Sequence, residues 1–256
     1  MNQNPTVKPS PEGPLSGIRV LTFAHAWSGP FATELLGLLG AEVVQIEAPH
    51  RSDVWRRTGN SVPEGVKDEN SPFKPLSPYG VAKVFGHNIT IHYREAYKLF
   101  ACLGILFNHE SPHRGLEFVT RKITYTLARI KFKKQEKLRL GNIHAKRDWG
   151  FAGEYVETMW TMLQQKNPDD YVIATGESHS VEEFLDLASE YAGLGDWHKF
   201  VEIDDRMNRP TDIEELIGDS TKARKQLGWS PKVGFKELVK MMVEYDINNL
   251  KSSIDP

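Results

Sequence analysis

The stretch Phe73-Lys-Pro-Leu-Ser-Pro-Tyr-Gly-Val-Ala-Lys83 ends in a tyrosine and a lysine four residues apart. Tyr79 to about Tyr97 reads as a helix, so one turn separates Tyr79 from Lys83 and both side chains share a face. An ammonium beside a phenol stabilises the phenolate, which lets the tyrosine take a proton from a hydroxyl near neutral pH.

After this helix the pattern is regular. Leu99 to Phe107 reads as a buried strand containing Cys102, and Arg114 to about Phe132 as mostly helical. Arg139 to Asn142 is a short strand and turn, Ala152 to about Gln165 a helix, and Tyr171 to Thr175 a strand closed by Gly176. Ser180 caps a helix running to Ala192, with Glu183 three residues on completing a capping box. Phe200 to Ile203 is a short strand, and Thr221 to Leu227 and Phe235 to Asn248 are helices. Strands alternating with helices argue for an α/β architecture.

Before the helix, Gly17 to Phe23 reads as a strand. Ser28-Gly-Pro30 reads as a helix start, Phe31 to Leu39 as the helix, and Glu42 to Glu47 as a second strand. This is one β-α-β unit. Ala48 to Pro78 is rich in Pro, Gly, Ser, Asn and charge and reads as a long connection, which is unusual inside a compact domain. Met1 to Pro14 is polar, with four prolines, and reads as a disordered tail.

Composition narrows the function classes. Of 256 residues, 39% are hydrophobic and 26% charged, and the formal charge is -2. That balance gives no general attraction to nucleic acid or membranes. A lone cysteine, Cys102, excludes an internal disulfide and fits a reducing, cytoplasmic setting. No apolar run approaches the roughly 20 residues that span a bilayer, and no metal-ligand set stands out.

Around Tyr79 the sequence resembles the catalytic-tyrosine region of extended short-chain dehydrogenases. Further on, Gly104-Ile-Leu-Phe-Asn-His-Glu-Ser-Pro-His-Arg-Gly115, Phe118-Val-Thr-Arg-Lys-Ile123, Leu140-Gly-Asn142, Lys146-Arg-Asp-Trp-Gly150, Arg209-Pro-Thr211 and Gly218-Asp-Ser-Thr-Lys-Ala-Arg-Lys-Gln-Leu-Gly-Trp229 are similar to the GDP-mannose 4,6-dehydratase family specifically. The resemblance runs from about Val62 to Ile247. It implies that Tyr79 is the catalytic base, that Lys83 binds the cofactor ribose, and that His109 and Arg114 contact NADP. It implies that Asn108, Lys122, Arg147 and Arg209 hold the GDP-sugar. A pyrophosphate suits lysine and arginine donors.

Two departures stand out. The family opens with a strand, a Gly-x-x-Gly-x-x-Gly turn and a helix that seat the dinucleotide pyrophosphate. No such triple occurs here; Gly37-Leu-Leu-Gly40 and Gly150-Phe-Ala-Gly153 carry two glycines each. The family also places Ser/Thr-x-Glu before the tyrosine helix, and here that region reads Ser52-Asp-Val-Trp-Arg-Arg-Thr-Gly59, with Asp53 the nearest carboxylate. The opening, Pro14 to Phe23 and Trp27 to Pro49, is instead similar to the start of class III CoA-transferases.

The expected organisation is a tail over 1–13, a CoA-transferase-like β-α-β segment over 14–60, and a dehydratase-like part over 61–250. The expected fold is a partial Rossmann-type parallel sheet with a smaller C-terminal sugar-nucleotide-binding α/β domain. By the resemblance the ligands are GDP-mannose or a related nucleotide sugar and NADP. A homodimer or tetramer is expected, because the tyrosine helix commonly lies at a dimer interface in that family.

Overall fold

The computed structural model of the protein describes residues 19–22, 42–45, 65–75, 78–207 and 215–252. The chain divides into two units, Met1–Arg56 and Arg57–Pro256. In the first unit, β1 (Arg19–Thr22) pairs in parallel with β2 (Glu42–Gln45), in register from Arg19 opposite Glu42 to Thr22 opposite Gln45. Parallel neighbours need a crossover connection. The helix expected there, with Ser28 and Pro30, lies outside the described residues, as do the tail and Asp53.

The second unit is α/β. Helix α1 (Pro78–Tyr97) leads to β3 (Leu103–Leu106) and β4 (Asn108–Glu110). Then come α2 (Val119–Lys131), β5 (Leu138–Leu140), β6 (Lys146–Arg147), β7 (Trp149–Phe151) and α3 (Ala152–Leu163). β8 (Asp170–Ile173), β9 (His179–Ser180), α4 (Val181–Ala192) and β10 (Val201–Ile203) follow. β11 (Glu215–Leu216), α5 (Thr221–Leu227) and α6 (Phe235–Ser252) complete the described order. β3 pairs with β8, β4 with β7, β5 with β10 and β6 with β11, all in parallel; β9 joins β6 antiparallel.

The apolar run Leu99–Phe107 is therefore not one strand. Its first residues form a loop that starts at Lys98, where φ is 56°, and Cys102 sits half-buried in that loop, with Sγ 3.6 Å from the Met162 carbonyl. At Phe107 the chain changes partner, from β8 to β7. Likewise α2 begins at Val119 rather than near Arg114, because residues 114–118 are spent on turns. The described end of the long connection is also ordered. Lys67 bridges Gly218 in parallel, and the Glu69 carboxylate accepts from the Val172 N–H at 2.8 Å.

The main core lies where α2, α4 and α6 pack together over β5 and β7. Ile123, Leu127, Phe184, Leu185, Leu238 and Met242 are all buried there. Truncating a ring such as Phe184 to alanine would cost about 3–5 kcal/mol through lost burial and the cavity left. α4 is bounded by local chemistry. Ser180 Oγ accepts from the Glu183 N–H at 3.0 Å, the Glu183 carboxylate accepts from the Ser180 N–H at 3.0 Å, and Gly193 ends the helix at φ 70°.

α1 is pinned to β8 by the Arg94 guanidinium, whose two terminal nitrogens lie 2.6 and 3.0 Å from the Asp170 carboxylate. Its outward side carries Tyr79, Val81, Phe85, Tyr93 and Tyr97, all exposed. No helix among the described residues is long and apolar enough to cross a membrane.

Candidate functional site

Tyr79 and Lys83 stand one turn apart near the start of α1. Tyr79 is 48% exposed, and the Lys83 ammonium lies 5.3 Å from its ring centroid. The pair thus shares one exposed helix face, with the ammonium beside the phenol ring.

β4 carries the second group. Asn108 pairs with Trp149, His109 with Gly150 and Glu110 with Phe151 across the β4–β7 ladder. The His109 Nδ1 lies 2.9 Å from the Phe107 carbonyl oxygen. Tyr155, on α3, lays its ring against the imidazole at a centroid distance of 5.3 Å. Gly150 makes room for that ring: a Cβ there would come within 2.5 Å of it. Burial pushes the His109 imidazole below its ordinary value; the Phe107 carbonyl opposes this shift and the Arg114 charge adds to it. His109 is therefore neutral at physiological pH. Burial among Asp148, Glu154 and Glu110 pushes the Tyr155 phenol up, so it stays protonated.

Glu110 is the hinge of this group. It is 2% exposed, accepts from the Thr120 hydroxyl at 2.7 Å, and lies 3.3 Å from the Arg114 Nε. Burial drives its carboxyl up, against the pull of Arg114 and Thr120. The Arg114 guanidinium lies 3.5 Å over the Phe118 ring. Its terminal nitrogens make no hydrogen bond to another described residue.

The remaining residues are placed as follows. Lys122, on α2, donates to the Arg139 carbonyl at 2.6 Å, and partial burial holds its ammonium below the usual lysine range. Arg147, on β6, donates to the Lys146 carbonyl at 2.7 Å and sits two residues before the strand partner of Asn108. Arg209 lies outside the described residues. Thus Asn108 and His109 lie on the β4–β7 ladder with Arg114 against Glu110 beside them, while Arg147 lies on β6. Tyr79 and Lys83 form a separate pair, joined to that group by no contact among the described residues.

Asp148 was not singled out from sequence. It is fully buried, and its carboxylate accepts from the Thr175 N–H at 2.8 Å, the Thr175 hydroxyl at 2.6 Å, the Gly176 N–H at 2.9 Å and the Gly218 N–H at 3.2 Å. One carboxylate therefore fixes the loops after β8 and β11 against the strand that carries Asn108's partner. Glu110 and Tyr155 were also missed; Glu110 lay inside a quoted motif and its immediate neighbourhood to His109 was the available signal.

Comparison with known proteins gives two family models. One, described as GDP-mannose 4,6 dehydratase, matches residues 59–242. The other, described as CoA-transferase family III, matches residues 15–78. The chain is 60% identical over 185 residues to GDP-mannose 4,6 dehydratase 1 of Arabidopsis thaliana, covering 72% of this chain and 51% of that protein. It is 46% identical over 210 residues to the human GDP-mannose 4,6 dehydratase, covering 75% of this chain and 56% of that protein. The chain thus spans about half the length of the curated relatives it matches. Among solved structures, an RMD from Pseudomonas aeruginosa complexed with NADPH superposes with TM-score 0.69 at 18% identity, covering 92% of this chain and 83% of that one. A dTDP-glucose 4,6-dehydratase from Bacillus anthracis with NAD gives TM-score 0.67 at 18% identity, covering 91% and 74%. These likenesses show the Rossmann-type fold.

Proposed function

The chain belongs to the GDP-mannose 4,6 dehydratase family, and we propose that it keeps the proton-handling and sugar-nucleotide-facing part of such an enzyme while turning over little by itself. The observation that carries this reading is the Tyr79–Lys83 pair, one turn apart on an exposed helix face with the ammonium 5.3 Å from the phenol ring. The reaction at issue dehydrates GDP-mannose to GDP-4-keto-6-deoxymannose.

In that reaction NADP, when bound, supplies the hydride acceptor for sugar C4 and the donor for C6. Tyr79 would take the C4 hydroxyl proton, with Lys83 one turn away to hold the cofactor ribose. The new C4 carbonyl makes the C5 proton acidic, so that losing it expels the C6 hydroxyl as water. Asn108, Lys122, Arg147 and Arg209 hold the GDP-sugar. Two residues present would line the cofactor site: His109, a neutral ring with Nδ1 on the Phe107 carbonyl, and Arg114, a cation braced on Glu110. The glycine triple that would seat the pyrophosphate is not in the sequence, nor is a Ser/Thr-x-Glu base before α1. Weak cofactor binding and slow turnover follow.

The test is to incubate the purified protein with GDP-mannose and NADP and to look for the 4-keto-6-deoxy product. Little or none is expected. Turnover at an ordinary enzymatic rate, about 1 s⁻¹ or more, contradicts the reading.

A second reading is a non-catalytic nucleotide-sugar binder that pairs with itself or with a full-length dehydratase. The exposed apolar side of α1, with Phe85, Tyr93 and Tyr97, favours it. Light scattering showing only monomer at high concentration would count against self-pairing. A third, CoA handling, rests on the match of residues 15–78 to CoA-transferases; calorimetry with CoA that shows no heat disposes of it.

A further inference from the structure

We propose that His109 meets its ligand as a hydrogen-bond acceptor through Nε2. The group it recognises is then an N–H donor, a primary carboxamide, and is not a phosphate or carboxylate oxygen. This inference rests on the reading above that His109 lines the cofactor pocket.

The tautomer follows from one contact. The Phe107 carbonyl oxygen, 2.9 Å from Nδ1, can only accept, so Nδ1 must carry the proton. A neutral imidazole has a single N–H, so Nε2 then holds a lone pair. The surroundings oppose adding a second proton, because the ring is largely buried and the Arg114 guanidinium is near. Nε2 makes no hydrogen bond to a described residue, and it is not among the sealed side-chain atoms that lack a partner.

The ring is also held still. Tyr155 lies against one face, tilted 33° at 5.3 Å, and is itself packed over Gly150, the strand partner of His109. An acceptor fixed in this way repels another acceptor and rewards a donor. Anionic oxygens fall to Arg114 instead, which presents its terminal nitrogens from the turn five residues later. The two side chains thus divide a ligand between a neutral donor group and a negative one.

The experiment uses the full chain with ¹⁵N-labelled histidine and long-range ¹H–¹⁵N correlation at neutral pH. The free protein is expected to show the Nδ1–H tautomer of His109, with Nε2 at an unprotonated shift. Millimolar NADP⁺ is expected to move the Nε2 resonance, whereas its 3-acetylpyridine analogue, whose methyl replaces the carboxamide NH₂, leaves it in place and binds about fivefold more weakly. GDP, which carries no carboxamide, is expected to leave Nε2 unshifted. An Nε2–H tautomer, a charged ring, or an equal shift with both dinucleotides overturns the inference. If the tautomer is as stated but neither dinucleotide touches the resonance, the cofactor reading fails and the acceptor assignment stands apart from it.

Discussion

The Glu110 carboxylate lies 3.3 Å from the Arg114 Nε, four residues on, with Glu110 almost wholly buried and the guanidinium laid over Phe118. The contact holds the guanidinium between the Glu110 carboxylate and the Phe118 ring. It also puts a carboxyl in a place where ionisation is costly, since only one arginine and one hydroxyl offset the loss of water.

That cost has a pH signature. Burial raises the Glu110 carboxyl above its ordinary value of about 4.3. The folded state therefore keeps this proton to a higher pH than the unfolded chain does. Across that window the unfolded state binds fewer protons, so stability falls as pH rises. Measured by urea unfolding, the wild type should lose stability relative to Glu110→Gln as pH climbs from the carboxylate range toward neutrality, with the two nearest each other in acid. A wild-type advantage that grows with pH would show the ion pair with Arg114 outweighing burial.

Asp148→Asn should be among the most damaging single changes. The carboxylate takes four N–H and O–H donors, and an amide of the same shape turns one acceptor into a donor facing them. A loss of about 3 kcal/mol or more is expected from chemical denaturation, with the m-value unchanged. A loss under about 1 kcal/mol would mean the loops after β8 and β11 hold themselves.

Ser180→Ala removes one half of a capping box whose two bonds are both 3.0 Å. The expected cost is about 1 kcal/mol, and Ser180→Gly should recover most of it. Equal losses in both variants would point to packing of the buried serine rather than capping.

Gly150→Ala should act on the site rather than on the core. A Cβ at Gly150 would reach within 2.5 Å of the Tyr155 ring, which must then move off His109. The expected result is a shift of the His109 ring resonances together with about 1–3 kcal/mol of destabilisation from overpacking. Unchanged histidine resonances would show that Tyr155 does not hold the imidazole.

What could be read from sequence was mostly what local chemistry decides. The Ser180 cap with Glu183 and the one-turn spacing of Tyr79 and Lys83 depend on residues a few positions apart, whereas the strand expected over Tyr171 to Thr175 ends at Ile173. The helix expected over Phe235 to Asn248 runs on to Ser252. Other features depend on distant partners. The run Leu99–Phe107 is uniformly apolar, and nothing in it signals that the chain leaves β8 for β7 at Phe107. Asp148 draws donors from 27, 28 and 70 residues away, so its role is invisible to spacing. Glu110 looked like one motif letter among several until burial distinguished it. Arg209, which the resemblance places on the GDP-sugar, and Asp53, the nearest carboxylate where the family has its Glu, both lie outside the described residues.

The central claim is that sugar-nucleotide contacts have been kept where the seat for the dinucleotide has not. Isothermal titration of the same protein preparation with GDP and with NADP⁺ tests it most directly. The account predicts saturable heat with GDP and binding of NADP⁺ no tighter than about 1 mM, equivalent to roughly −4 kcal/mol. Micromolar affinity for NADP⁺ would contradict it.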